Sequence, residues 1–351
     1  ETILLKRMQI GVIAGILPWN FPFFLIARKM APALVTGNTI VLKPSSDTPI
    51  GALEFAKLCD KVGIPAGVVN FVTGPGSVVG NELSKNPKIG MASLTGSVSA
   101  GKRIMSAAAE HVGEVSLELG GNAPAIVCDD ADIDEAVKDI IGSRFDNNGE
   151  LCNNVQRVYV QEGVADEFME KLVAGVKAIA TGDTVKNPDI GMGPLINKAA
   201  LEKVDSQVKQ AVKEGAKVVV GGKPMEGKGF FYEPTILTNV TQEGSAIQDE
   251  IFGPVLPVMT FKNLKDAVEM CNDSTMGLTS GIFTKSLDRA AYAINEIQAG
   301  ETYVNRNYFE AMQGYHAGVK ESGIGGSDGM HGILECTDTK VCYIQRHPED
   351  I

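Results

Sequence analysis

The chain has 351 residues, 44% of them hydrophobic, and a formal charge of −11 from 43 acidic against 32 basic side chains. That length suits two packed α/β domains better than one small core. The acidic balance argues against a nucleic-acid or anionic-membrane partner, yet leaves room for a local basic pocket around a phosphorylated cofactor.

In chain order, short apolar runs alternate with helical stretches. Residues 2–5 read as a strand, and residues 39–42 as a buried strand ending near Lys43. A helix is expected over 49–62, with a proline in its first turn and Gly63 just past its end. A strand at 68–72 leads into Gly74-Pro75-Gly76 and a helix toward Leu83; a strand at 89–94 leads into Thr95-Gly96-Ser97 and a helix through Ala109. Residues 115–119 close this half, and the change to a second sheet is placed at Gly120-Gly121. Further strands are expected at 125–128, 157–160, 217–220, 255–261, 278–283 and 302–304. Helices are expected at 164–180, 197–214, 264–272 and 286–298. Asp132 with Glu135 has the form of a capping box opening another helix. Such alternation implies mostly parallel sheets with helices on both faces. Residues 340–345 alternate like an edge strand suited to pairing with another subunit. No apolar run is long enough to span a bilayer. Six cysteines, at positions 59, 128, 152, 271, 336 and 342, show no zinc pattern or compact disulfide framework, so reduced thiols in a cytoplasmic protein are expected.

Several side chains invite a chemical reading. Cys152 lies in Asp146-Asn147-Asn148-Gly149-Glu150-Leu151-Cys152-Asn153-Asn154, polar company that can expose and stabilise a thiolate, whereas an inert structural cysteine prefers apolar neighbours. It reads as a nucleophile, against the plain alternative of a turn cysteine without a role. Glu118 ends a strand just before Gly120-Gly121 and is either a general base overhanging a cleft or an ordinary strand-end carboxylate. Asn20, inside Pro18-Trp19-Asn20-Phe21-Pro22, is either a rigid amide donor for an oxyanion or part of a proline-stiffened turn. Lys43 stands at a strand's carboxyl end, where open α/β sheets bind ligands. Gly74, Gly76 and Gly80 form an imperfect dinucleotide fingerprint. At the second junction, Ser97 and free backbone N–H groups suit a phosphate. The histidines at 111, 316, 331 and 347 lack metal-ligand spacing, so no metal is expected. A Cys152–His316 hydrolytic pair using Asn20 is the competing arrangement.

Taken in order, residues 18–22, Lys43-Pro44-Ser45, Thr95-Gly96-Ser97, residues 117–121, Cys152 and Glu250-Ile251-Phe252-Gly253-Pro254-Val255 resemble the motif series of the NAD(P)-dependent aldehyde dehydrogenase superfamily, over nearly the whole chain. The resemblance implies that Cys152 attacks an aldehyde, that Asn20 and the Cys152 backbone N–H hold the oxyanion, and that Glu118 activates the water that hydrolyses a thioester. Nucleophile and oxyanion donors must then converge on one carbon. It assigns Trp19, Lys43, Ser45, Gly74, Ser97, Gly120, Glu250 and Phe252 to an NAD cofactor, with NADP as a possibility. Residues 305–318 most resemble lactaldehyde and glycolaldehyde dehydrogenases. Glu310 and His316 thereby become candidates for a substrate hydroxyl beside the aldehyde, or else members of a shared loop scaffold.

The implied architecture is two doubly wound α/β domains with mostly parallel sheets and a small β oligomerisation element, the N-terminal part being absent. Residues 1–8 and 337–346 would be oligomerisation strands of a homo-oligomer, a tetramer or dimer. Residues 9–118 would form the cofactor domain, 119–305 the catalytic domain, and 306–336 the substrate-site loop and return segment. The competing functions are an inactive, truncated nucleotide-binding or assembly relative and a coenzyme A-acylating enzyme. Two local departures from the family stand out. Ser46 replaces a glutamate that usually meets the adenosine ribose, removing a charge that repels a 2′-phosphate, with Asp47 as a neighbour that can compensate. Glu150 replaces a glutamine two residues before the nucleophile, where an inward-pointing anion would raise the cysteine pKa.

Overall fold

The computed structural model describes residues 1–346, so His347 lies outside the described residues. The chain divides into two compact units. Its first stretch runs β1 (Thr2–Gln9), β2 (Val12–Ile16), α1 (Pro22–Val35), β3 (Thr39–Lys43), α2 (Pro49–Lys61), β4 (Val69–Phe71), α3 (Asn81–Lys85), β5 (Met91–Thr95), α4 (Val98–Ala108) and β6 (Glu114–Glu118). The second stretch runs β7 (Ala123–Val127), α5 (Ile133–Phe145), β8 (Val155–Gln161), α6 (Ala165–Lys177), α7 (Lys198–Lys213), β9 (Lys217–Val220), β10 (Thr235–Thr238), α8 (Ser245–Gln248), β11 (Val255–Phe261), α9 (Leu264–Asn272), β12 (Met276–Gly277), β13 (Thr279–Phe283), α10 (Leu287–Glu296) and β14 (Glu301–Val304). The return segment carries β15 (Val319–Lys320), β16 (Gly323–Ile324), α11 (Gly329–Glu335) and β17 (Thr337–Ile344).

The first unit takes Glu1–Glu118, Ala311–Ala317 and the described residues from Gly323 onward. Its six-stranded sheet has the order β16-β6-β5-β2-β3-β4 and is parallel except at β16. From β2 the chain winds through β3 to β4 on one side, then crosses to β5 and β6 on the other. A doubly wound sheet that reverses at β2 and β5 opens a crevice at the carboxyl ends of those strands. Burying β2 on both faces suits its apolar sequence, and Gly15 in its middle has a structural reason: a Cβ there would meet Leu42 Cδ2 at 2.7 Å and the Lys29 stem at 3.5 Å. That glycine also hides the strand from a propensity reading, so β2 is not among the expected elements. Nor is α1, whose Pro32 and lack of acidic first-turn residues obscure it. β1 and β17 pair antiparallel as a separate ribbon.

The second unit takes Leu119–Glu310 and Gly318–Ser322. Its seven-stranded sheet, β14-β13-β7-β8-β11-β10-β9, is parallel except at the β9 edge. Val158, Val160, Phe168, Leu172 and Ile140 are fully buried between that sheet and α5 and α6. The Asp132 side chain caps α5 by accepting from the Glu135 N–H at 3.2 Å. Asn197, Asn263 and Ser286 cap α7, α9 and α10 in the same way, satisfying N–H groups that the first helical turn leaves without partners. Among the described residues, no helix is long and apolar enough to cross a membrane.

Candidate active site

In the first unit, residues from both strand–helix junctions gather at the carboxyl edge of the sheet. Trp19 and Asn20 are half-buried in the loop between β2 and α1, and the Leu17 N–H before them donates to the Lys43 carbonyl at 3.0 Å. Lys43 ends β3 buried, its ammonium donating to the Pro44 carbonyl at 2.8 Å, and burial lowers its pKa. The Ser45 hydroxyl accepts from the Asp47 N–H at 3.3 Å, and the Ser46 hydroxyl donates to the Gly74 carbonyl at 3.2 Å. Gly74 has a φ of +148°, and a Cβ there would meet Val79 at 2.5 Å, which explains a glycine better than a phosphate fingerprint does. The stretch expected as one helix after it is a five-residue π-helical turn, Gly76–Gly80, running into α3. Ser97 caps α4 at the Ala100 N–H, and that helix has no acid in its first turn. A buried lysine ending β3 and an acid-free helix N-terminus following β5, both at the carboxyl edge of one sheet, form a donor set that fits a dinucleotide phosphate.

Glu118 is 4% exposed at the end of β6, too buried for an ordinary surface carboxylate. Its Oε2 accepts from the Thr95 hydroxyl at 2.9 Å, and its Oε1 lies 3.2 Å from His316 Nε2. Lys29 is buried nearby, donates to Ser93 Oγ at 2.8 Å, and has its pKa lowered to about 8 by burial, against the raising influence of Glu118. Sequence reasoning assigned neither Thr95 nor Lys29 a role; for Thr95 the signal was its place just before Gly96-Ser97.

In the second unit, Cys152 follows a tight turn in which Asn147, Asn148 and Gly149 all have positive φ, at 45°, 60° and 72°. Gly149 is required there, because a Cβ would lie 2.4 Å from the Gly253 carbonyl. The fully buried Arg144 donates to the carbonyls of Ile251, Gly253 and Val155 and to Asn154 Oδ1, at 2.6–3.2 Å, tying the turn to the strands beside it. Gly121 makes the complementary close approach: its Cβ would sit 2.4 Å from the Cys152 carbonyl. Gly120 lies under the Glu250 carboxylate, where a Cβ would come within 2.7 Å of Oε2, and the Gly121 N–H donates to Glu250 Oε1 at 3.1 Å. Burial raises Glu250 to about 7. Phe252 is half-buried two residues on.

Cys152 is half-buried, whereas burial pushes the Cys128 and Cys271 thiols up to about 11 and 12. Deeply buried cysteines of that kind are inert. Asn153, immediately after Cys152, donates to Glu310 Oε2 at 2.6 Å and to the Tyr308 carbonyl at 3.1 Å, so Glu310 is fixed one residue from the nucleophile. Asn153 was missed in sequence, although its place beside the cysteine was a signal; Arg144 had none. The Glu150 carboxyl is buried and turned to the Ile196 N–H, from which it accepts at 3.2 Å. Burial raises it to about 8, so at neutral pH it is mostly a neutral acid and the anion feared beside the nucleophile is largely absent.

The doubly wound sheet with its phosphate-suited junctions, joined in sequence to a second α/β unit, defines a nucleotide-binding α/β protein. The aldehyde dehydrogenase family model matches residues 1–342. Lactaldehyde dehydrogenase of Escherichia coli is 57% identical over 345 residues, which is 98% of this chain and 72% of that protein. The NADP-dependent D-glyceraldehyde dehydrogenase of Picrophilus torridus is 41% identical, over 96% of this chain and 69% of its own length. The crystal structure of the E. coli lactaldehyde dehydrogenase superposes with a TM-score of 0.97 at 56% identity, covering 98% of this chain and 72% of that one. The chain belongs to the aldehyde dehydrogenase family. It is an NAD(P)-dependent enzyme that oxidises aldehydes.

Proposed function

We propose that the substrate is a short α-hydroxyaldehyde, such as lactaldehyde or glycolaldehyde, and that the product is the free carboxylic acid. The observation that carries this reading is the Glu310 carboxylate held at 2.6 Å by Asn153, directly after Cys152. A half-buried carboxylate near the nucleophile favours a substrate that brings a hydroxyl donor over one that brings none. His316, the other residue the resemblance offers for that hydroxyl, is 1% exposed with its Nε2 3.2 Å from Glu118 Oε1. The similarity to a lactaldehyde dehydrogenase supports the same class.

In this reading the Cys152 thiolate attacks the carbonyl carbon. The Asn20 amide and the Cys152 N–H donate to the resulting oxyanion, which lowers the barrier because the donors are already oriented. NAD(P), when bound, would accept the hydride that leaves that carbon, and as the C–H bond breaks the carbonyl re-forms as a thioester on Cys152. Lys43, Ser45 and Ser97, with the N-terminus of α4, would hold its phosphates and ribose, and Trp19, Gly74, Gly120, Glu250 and Phe252 would complete the contacts. The neutral Ser46 puts no charge of its own against the 2′-phosphate of NADP, while the exposed Asp47 follows it in sequence. Glu118 then takes a proton from water as its oxygen bonds to the thioester carbon, and the C–S bond breaks to return the thiolate.

Stopped-flow NADH formation with lactaldehyde tests this. Cys152→Ala is expected to lose turnover by at least about 10⁴-fold, as removal of a nucleophile does. Glu118→Gln is expected to keep a burst of one NADH per site while its steady rate falls by about 10²-fold or more, the scale of a lost general base. An unchanged steady rate in Glu118→Gln would refute the assigned base.

A further inference from the structure

We propose that His316 is a positioning residue for Glu118, holding its carboxylate through Nε2 for the hydrolytic half of the reaction. The inference rests on the role of Glu118 as the base. Both side chains belong to the first unit and are almost sealed from water, at 1% and 4% exposure. Two donors divide the carboxylate between them: the Thr95 hydroxyl on Oε2 at 2.9 Å and His316 Nε2 on Oε1 at 3.2 Å. An ionised carboxylate only accepts hydrogen bonds, so Nε2 must carry its proton, and that requirement selects the ring tautomer.

The histidine arrives on a locked backbone. Its N–H donates to the Ser327 carbonyl at 2.9 Å, and the Ser327 N–H returns the bond at 2.8 Å. Gly326 has to lack a side chain there, because a Cβ would lie 2.7 Å from the His316 carbonyl. The carboxylate is equally constrained, since Glu118 pairs with Gly323 of β16 in the sheet. Two rigid elements therefore deliver ring and carboxylate to each other, and 198 residues of chain separate them. Each donor stabilises the ionised form that must take a proton from water, and losing one from a buried carboxylate is costly. The imidazole stays a donor throughout: the proton passes from water to Glu118, and no bond to His316 forms or breaks.

A residue that binds the substrate hydroxyl and one that orients the base give different kinetics, so His316→Leu and His316→Gln are compared using lactaldehyde and propanal, which lacks the hydroxyl. For His316→Leu the expected result is a retained NADH burst with both aldehydes and a steady rate at least tenfold lower with both. Acid-quenched mass spectrometry should then show the acyl adduct accumulating on the protein. His316→Gln, whose amide N–H can replace the imidazole donor, should recover to within about threefold of the native rate. A loss confined to lactaldehyde with a raised KM, or an unchanged steady rate, overturns the proposal. Glu118→Gln in the same assay separates the two ideas, because normal hydrolysis in that variant defeats the base assignment itself. Should His316→Leu not fold, ¹⁵N NMR of the native histidines decides: a proton on Nε2 of His316 that is displaced in Glu118→Gln supports the pair, and a proton on Nδ1 alone overturns it.

Discussion

Glu150 shows how a single side chain can carry a pH dependence that its position in the sequence does not announce. As an anion two residues before the nucleophile it would have opposed thiolate formation. Buried against the Ile196 N–H, it is instead held near pKa 8. A carboxyl group whose folded pKa lies above its unfolded value binds more protons in the folded state, so stability falls as pH rises from the unfolded pKa, near 4.5, to about 8 and is level beyond. With about 1.4 kcal/mol for each pH unit of displacement, the alkaline penalty is on the order of a few kcal/mol. Glu150→Gln keeps an acceptor for Ile196 and removes the ionisation. Its thermal midpoint is expected to match the native protein near pH 5 and to exceed it by several degrees at pH 8.5. Equal midpoints at both pH values would show that the carboxyl is not buried as described.

At the scale of elements, the close approach of Gly121 to the turn carrying Cys152 matters more than any propensity. A methyl group there meets the Cys152 carbonyl at 2.4 Å and Leu278 at 3.2 Å, and backbone cannot give way as a flexible side chain does. Gly121→Ala is expected to destabilise by about 1–3 kcal/mol in urea unfolding, the usual cost of overpacking. It should also cut kcat about 10²-fold, because a nucleophile displaced by 1 Å loses its near-attack geometry. A variant with lowered stability and native kcat would mean the turn absorbs the methyl without moving Cys152.

The same scale divides what the sequence made legible from what it hid. Strand-end glycines, capping residues such as Asp132 and the motif order were readable because each is local. β2 was missed because Gly15 answers to tertiary packing, and α1 because Pro32 sits inside a helix whose first turn carries no acid. The Arg144 clamp and the Glu118–His316 pair were invisible for a related reason: their partners lie up to 198 residues away, and no spacing announces them.

For the whole molecule, the β1–β17 ribbon is a pair of strands outside both larger sheets that leaves large apolar side chains exposed. Its register places Ile3 opposite Tyr343 and Leu5 opposite Val341, so these four share one face of the ribbon. They are 59%, 70%, 76% and 43% exposed, while Lys6 and Lys340 pair on the other face. An isolated two-stranded ribbon is marginal in water, and an apolar stripe along it invites a second copy of the same surface. We infer a homo-oligomer joined through this ribbon. Light scattering after size exclusion is expected to give a mass of two or four chains for the native protein. Leu5→Lys combined with Tyr343→Lys puts two ammonium groups into the stripe, where unpaired charge is expensive to desolvate, and the mass should fall to that of fewer chains. A native mass of one chain, or an assembly that survives both lysines, would place the subunit contact elsewhere or remove it.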